Sequence, residues 1–141
     1  MNSKQRPIFL VHGLWNTPKL FEKLIAKIDP KEIQLYTPHL PHNFGKISLQ
    51  KLASDLNQQI MDLVAPELDI DLVGFSMGGI VSRIWLQNYN GFNRTKRFIS
   101  IGSPHNGTFT AQFVPSNLFP GIADMKRGSS LLSQLNGDLS S

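Results

Sequence analysis

Unbroken apolar runs alternate with stretches whose apolar residues recur every three or four positions. Ile8-Phe9-Leu10-Val11 is continuous and stops at His12-Gly13, which predicts a buried strand emptying into a tight loop. Asn16-Thr17-Pro18 opens a helix, with Asn16 or Thr17 as its cap and Pro18 in the first turn. Leu20, Phe21, Leu24, Ile25 and Ile28 give that helix an apolar face, and Asp29-Pro30 ends it. Glu32 to Thr37 predicts a second strand, weakened by Gln34, and Pro38 to Gly45 is a loop rich in proline and histidine. From Ser48 the period is helical again through Leu49, Leu52, Ala53, Leu56, Ile60, Leu63 and Val64, until Pro66. Ile70 to Phe75 is a short apolar run suited to a buried parallel strand. Gly79 to Leu86 then places Ile80, Ile84 and Trp85 on one helical face. Gly91 stops this helix, and Phe98-Ile99-Ser100-Ile101 makes a fourth strand.

Four strands alternating with three helices predict an α/β fold: a parallel sheet with helices on both faces, joined by right-handed crossovers. Loops that follow strands gather at the sheet's carboxyl edge. His12, the loop carrying His39 and His42, Ser76 and His105 each come just after a strand, so all fall on that edge. Beyond Thr108 the regularity fades. Phe109, Phe113, Val114, Leu118, Phe119 and Ile122 sit among prolines and small polar residues, which fits an apolar lid over the edge and fits an irregular core connection equally. Gly128-Ser129-Ser130 caps a last short helix bearing Leu131, Leu132 and Leu135, broken by Asn136-Gly137.

A chain of 141 residues that is 40% hydrophobic supplies one ordinary core, so a single domain over 1–141 is expected. The net charge of +4, from 14 basic and 10 acidic side chains, is modest and dispersed. Its tightest cluster, Arg94, Lys96 and Arg97, lacks interleaved aromatics and reads as a solvated loop before a strand, which argues against a nucleic-acid partner. With no cysteine, disulfides and thiolate metal sites are excluded, and nothing calls for a metal or cofactor. The apolar run after the basic residues Met1 to Arg6 is too short for a leader, and no stretch approaches the roughly 20 apolar residues of a membrane span, so a soluble, cytoplasmic chain is expected.

The chemistry concentrates at Gly74-Phe75-Ser76-Met77-Gly78, a G-x-S-x-G turn between strand and helix. Such a turn strains the serine backbone and crowds its neighbours, which Gly74 and Gly78 relieve. It lifts the Ser76 hydroxyl clear of the sheet and leaves the Met77 N–H beside it, at the positive end of a helix. A serine hydroxyl needs a general base, usually a histidine oriented by a carboxylate, and donors for the oxyanion. His12-Gly13-Leu14 offers the Leu14 N–H as a second donor, with His12 propping that loop.

Three motifs in register resemble an α/β-hydrolase of the lipase and esterase kind. They are Val11-His12-Gly13-Leu14-Trp15, Gly74-Phe75-Ser76-Met77-Gly78-Gly79 and Gly102-Ser103-Pro104-His105-Asn106-Gly107-Thr108. Met125 to Asn136 is similar to that family's helix after the lid. The resemblance implies Ser76 as nucleophile, Leu14 and Met77 as oxyanion donors, and His12, Gly13, Gly74, Gly78 and His105 as support for the loops. It also implies an acid and then a histidine on loops after later strands. After Ser76 this chain offers only His105, Asp124 and Asp138. The resemblance casts His105 as a loop tie, with a substitute general base as its alternative role; the two aspartates are expected as surface or capping groups, and His39 and His42 are expected to face solvent. The domain is therefore expected to be a truncated, partial α/β-hydrolase fold of about four strands, exposing the outer edge of the last strand. Its base and acid would come from elsewhere, such as a separate chain carrying the missing half. The implied activity is hydrolysis of a small-molecule carboxylic ester or lipid. A thioesterase or acyltransferase would use the same parts, and a non-catalytic acyl- or partner-binding remnant is the alternative from another class.

Overall fold

The structure, a computed structural model, describes residues 5–108, 111 and 116–137. Four parallel strands, β1 (Ile8–Val11), β2 (Leu35–Tyr36), β3 (Ile70–Phe75) and β4 (Thr95–Ile101), form one sheet in the order β2-β1-β3-β4. Between them lie α1 (Glu22–Ile25), α2 (Leu49–Leu63) and α3 (Met77–Asn88), followed by α4 (Pro120–Ala123) and α5 (Ser130–Gly137). This is the α/β architecture that the periodicity predicts.

Parallel register aligns Phe9 with Leu72 and Val11 with Gly74, and Leu72 in turn with Phe98. Phe9, Val11, Ile70 and Leu72 therefore share one face of the sheet, and they join the buried rows Leu49, Leu52, Leu56 and Ile60 of α2 and Ile80, Ile84 and Trp85 of α3 in one core. Burial of each such side chain contributes about 2 kcal/mol. The Ser48 hydroxyl caps α2 by accepting from the Lys51 N–H. The Trp85 indole donates to Asn57 Oδ1 at 3.0 Å, which joins α3 to α2 while satisfying its one buried donor. By the crossover rule α1 lies on the opposite face.

That opposite face is thinly covered. The helix expected over residues 18–28 is a 3-10 turn, Pro18–Phe21, followed by the single turn of α1; Thr17 is the cap, accepting from the Lys19 N–H. Phe21 is buried, whereas Leu20, Leu24 and Ile25 remain largely exposed. On the same side of β4, Ile99 and Ile101 are about half exposed, at 52% and 49%. Among the described residues no strand pairs with the outer edge of β4.

Two local expectations are corrected. The second strand shortens to Leu35–Tyr36, where Tyr36 stacks on Phe9 at 5.0 Å between ring centroids. β4 begins at Thr95, so Lys96 and Arg97 belong to the strand; an edge strand tolerates charge because one side of it meets water. Arg94 precedes it and clamps the turn before β3 by donating to the Leu68 and Ala65 carbonyls. Of the proposed lid, Phe109, Phe113 and Val114 lie outside the described residues, and the segment closes in α4. Among the described residues no helix is long and apolar enough to cross a membrane.

Gly78 carries the tightest backbone approach between strand and helix. A methyl there would stand 2.2 Å from the Val11 carbonyl oxygen and 2.6 Å from that of His12. Backbone cannot move aside as a side-chain tip can. Gly78→Ala should therefore lower unfolding stability by about 1–3 kcal/mol. Gly137→Ala, whose added methyl meets nothing within 4 Å, should change it by less than about 0.5 kcal/mol. Urea midpoints measure both, and equal midpoints would contradict the packing described.

Candidate active site

Ser76 links β3 to α3 with φ 54° and ψ −124°, a left-handed conformation rare for a residue with a side chain. Its backbone is held from both sides: its N–H donates to the Ile101 carbonyl at the end of β4, and its carbonyl accepts from the Gly79 N–H. Gly74 lets α3 start directly against β3, since a methyl there would be 2.5 Å from Gly79 Cα. Gly13 lies against the serine itself, with its missing methyl 2.9 Å from Ser76 Cβ and 3.5 Å from Oγ. The loop after β1 thus reaches the turn after β3, which brings Leu14 into the wall of the same cavity as Ser76.

That cavity encloses about 440 Å³ and is lined by Leu14, Trp15, Ser76, Ala111, Ile122 and Met125 among others. A larger concavity, of about 620 Å³, lies beside α2 between His39, Pro41, Ile47 and Gln58 and does not reach Ser76. Among the described residues, the Ser76 hydroxyl has no hydrogen-bond partner, and the N–H groups of Leu14 and Met77 have no acceptor. Met77 opens α3, where helix geometry leaves the first N–H groups without intrahelical partners.

Three of the histidines on this edge, His12, His42 and His105, have both ring nitrogens engaged. Buried His12 accepts the Leu40 N–H at Nε2, 2.9 Å away, and its Nδ1–H donates to the Gly13 carbonyl at 3.0 Å. Burial pushes its pKa down; the Gly13 carbonyl opposes the shift, and nearby His39 and His42 reinforce it. His105 receives the Arg83 guanidinium at Nδ1, 3.2 Å away, and since arginine only donates, its Nε2–H is left to donate to Ser100 Oγ at 2.7 Å. Burial and then the Arg83 charge lower its pKa. Arg83 also donates to Asn136 Oδ1 and the Leu135 carbonyl, and Asn136 Nδ2 donates to the His105 carbonyl. Arg83 thus ties α3, the loop after β4 and α5 together.

His39 is exposed, as expected. His42 is not simply solvated: it is half-buried, donates from Nε2 to the Asn16 carbonyl and accepts the Phe44 N–H at Nδ1, because two loops meet there. Asp124 is a half-buried cap whose Oδ2 accepts the Leu49 N–H at the start of α2, and burial pushes its carboxyl up against the opposing effect of that bond. Asp138 lies outside the described residues. Periodicity missed Arg83 and Asn136, although a lone cation inside the apolar run Ile80 to Leu86 was a visible sign of a buried polar network.

A parallel sheet whose third strand turns sharply through a serine into a helix, with the loop after the first strand packed against that serine, defines an α/β-hydrolase fold. Residues 7–136 match the family described as palmitoyl protein thioesterase, and the chain belongs to that family. It is 26% identical over 119 residues to palmitoyl-protein thioesterase 3 of Dictyostelium discoideum, spanning 79% of this chain and 40% of that protein. Its fold is similar to the lipase BlEst2 of Bacillus licheniformis in mature form, at 18% identity and TM-score 0.73, over 99% of this chain and 61% of the other. Lipase B of Aspergillus fumigatus is similar at 18% identity and TM-score 0.74, over 96% and 34%.

The two lowered imidazole pKa values set a pH dependence. The unfolded chain binds these protons near the usual 6.5, and the folded chain only at lower pH. Their contribution to stability is therefore complete above about pH 6.5 and falls as the pH drops toward the folded values. Urea midpoints across this range should decline on the acid side, and His12→Gln should lower the midpoint at neutral pH while flattening that decline. An unchanged slope in the variant would contradict the assignment.

Proposed function

We propose that Ser76 is the nucleophile of an acyl hydrolase acting on a fatty acyl thioester or carboxylic ester, with the Leu14 and Met77 N–H groups as oxyanion donors. One observation carries this reading: a serine in a strained left-handed turn keeps an unpartnered hydroxyl on an apolar cavity that Leu14 also lines, and among the described residues neither the Leu14 N–H nor that of adjoining Met77 has an acceptor. In the proposed reaction Ser76 Oγ attacks the acyl carbon and passes its proton to a base. The carbonyl oxygen takes the negative charge between the two donors, the thiol or alcohol leaves with the proton, and water then releases the acid from the acyl-serine. His12, Gly13, Gly74, Gly78 and His105 hold the loops that make this geometry. Family membership favours a long acyl thioester over other esters, and the apolar walls Leu14, Ile122 and Met125 suit an acyl chain.

The base and its carboxylate are proposed to come from outside these 141 residues. His12, His42 and His105 each have both ring nitrogens engaged, and His39 lines other concavities, not the one at Ser76. The chain spans 40% of its Dictyostelium relative, which leaves room for such groups in following sequence or in a separate chain. The same engaged histidines favour a second reading, an acyl-binding module without turnover. A fluorophosphonate probe separates the two. The first predicts slow labelling that is lost in Ser76→Ala, at a rate roughly a thousandfold or more below that of a complete triad. A folded chain that stays unlabelled on prolonged incubation supports the second.

A further inference from the structure

Two large aromatic side chains stand in solvent at the rim of the site. Trp15 is 64% exposed and Phe44 60%, with ring centroids 5.5 Å apart. They belong to different loops, after β1 and after β2, and His42 clamps those loops by donating to the Asn16 carbonyl and accepting the Phe44 N–H. Both residues have left-handed backbones, φ 65° and φ 54°, which bulky side chains rarely adopt. Neither ring enters the core. Trp15 walls the Ser76 cavity and also an adjoining concavity of about 360 Å³ that Phe44 lines.

The loops that carry this tip hold no acid, and exposed Glu22 is the first to follow them in sequence, beyond Lys19. The segments 12–21, 37–48 and 102–119, which leave the carboxyl edge of the sheet, contain no Asp or Glu. Exposed Lys19 and Lys46 lie close in sequence to the two aromatics. Asp124, the nearest acid after the last of these segments, turns its carboxylate inward onto the Leu49 N–H. The acids Glu67, Asp69 and Asp71 collect at the opposite end of β3.

We infer that the Trp15–Phe44 tip docks on an anionic phospholipid bilayer, its rings entering the boundary between headgroups and acyl chains while Lys19 and Lys46 lie against lipid phosphates. Exposed tryptophan beside lysine is the chemistry that such an interface selects. Pairing of two copies through this tip would set Lys19 and Lys46 against their equivalents, a like-charge penalty that a bilayer does not impose. Docking here brings the mouth of the Ser76 cavity to the membrane, and it does not require Ser76 to be a nucleophile.

The chain is sedimented with vesicles of equimolar phosphatidylcholine and phosphatidylglycerol, and with phosphatidylcholine alone, while tryptophan emission is recorded. Trp85 is buried and bonded to Asn57, so Trp15 reports the contact. Binding to the anionic vesicles with a blue shift of emission is expected. Lys19→Gln and Lys46→Gln should each weaken binding roughly fivefold. Trp15→Asn combined with Phe44→Asn should weaken it by more than about tenfold, and asparagine accepts left-handed backbone readily, so the variant should keep its circular dichroism. The inference is overturned by absence of sedimentation, by equal binding to both vesicle types, by unshifted emission or by undiminished binding of the double variant. Self-association on gel filtration without vesicle binding would assign the tip to a second copy instead and would likewise overturn it.

Discussion

Backbone lies on backbone where β1 ends and α3 begins, and the site follows from that contact. The Val11 and His12 carbonyls approach Gly78 so closely that no side chain fits between them. The loop after β1 is thereby pressed against the turn that carries Ser76. Three consequences share this cause. Ser76 takes a left-handed conformation, its hydroxyl opens onto a cavity that Leu14 also lines, and among the described residues the Leu14 and Met77 N–H groups have no acceptor. In the proposed reaction, donors fixed in this way require little reorganisation when charge develops.

The polar groups around this contact act mainly by holding it in place. His12 joins the β1 loop to Leu40 through one neutral tautomer, and Arg83 gathers His105, Leu135 and Asn136 at the other side. A buried guanidinium facing only neutral acceptors costs desolvation, and three well-made hydrogen bonds offset it. The result is a firmly held turn around Ser76, the proposed nucleophile, with His12, His42 and His105 already committed at both ring nitrogens. This division accounts for one chain having the fold and family of an acyl hydrolase while its proposed base lies elsewhere.

Much of this was legible in the residues, for identifiable reasons. Ser48 followed by apolar residues at helical spacing marked α2 accurately, since a long buried helix leaves a strong periodic trace. Strand order alone placed Ser76, His12 and His105 on one edge. The thin face was misread because apolar residues at Leu20, Leu24 and Ile25 suggested a full helix, whereas little packs over them and the helix is one turn long. Edge position hid the start of β4, as Lys96 and Arg97 carry the charge of a loop into a strand. Long-range partners left no local trace: nothing near His42 announces Asn16, and nothing near Asp124 announces Leu49. The pairing of Trp15 with Phe44 likewise exists only once the two loops have met.

The central claim is that the chain builds an oxyanion pocket from two amides beside a strained serine. A crystal structure of the chain phosphonylated by a fluorophosphonate tests it most directly. The account predicts phosphorus bonded to Ser76 Oγ, with one phosphonyl oxygen accepting from both the Leu14 and the Met77 N–H. An adduct on another residue, or a phosphonyl oxygen turned away from both amides, would contradict it.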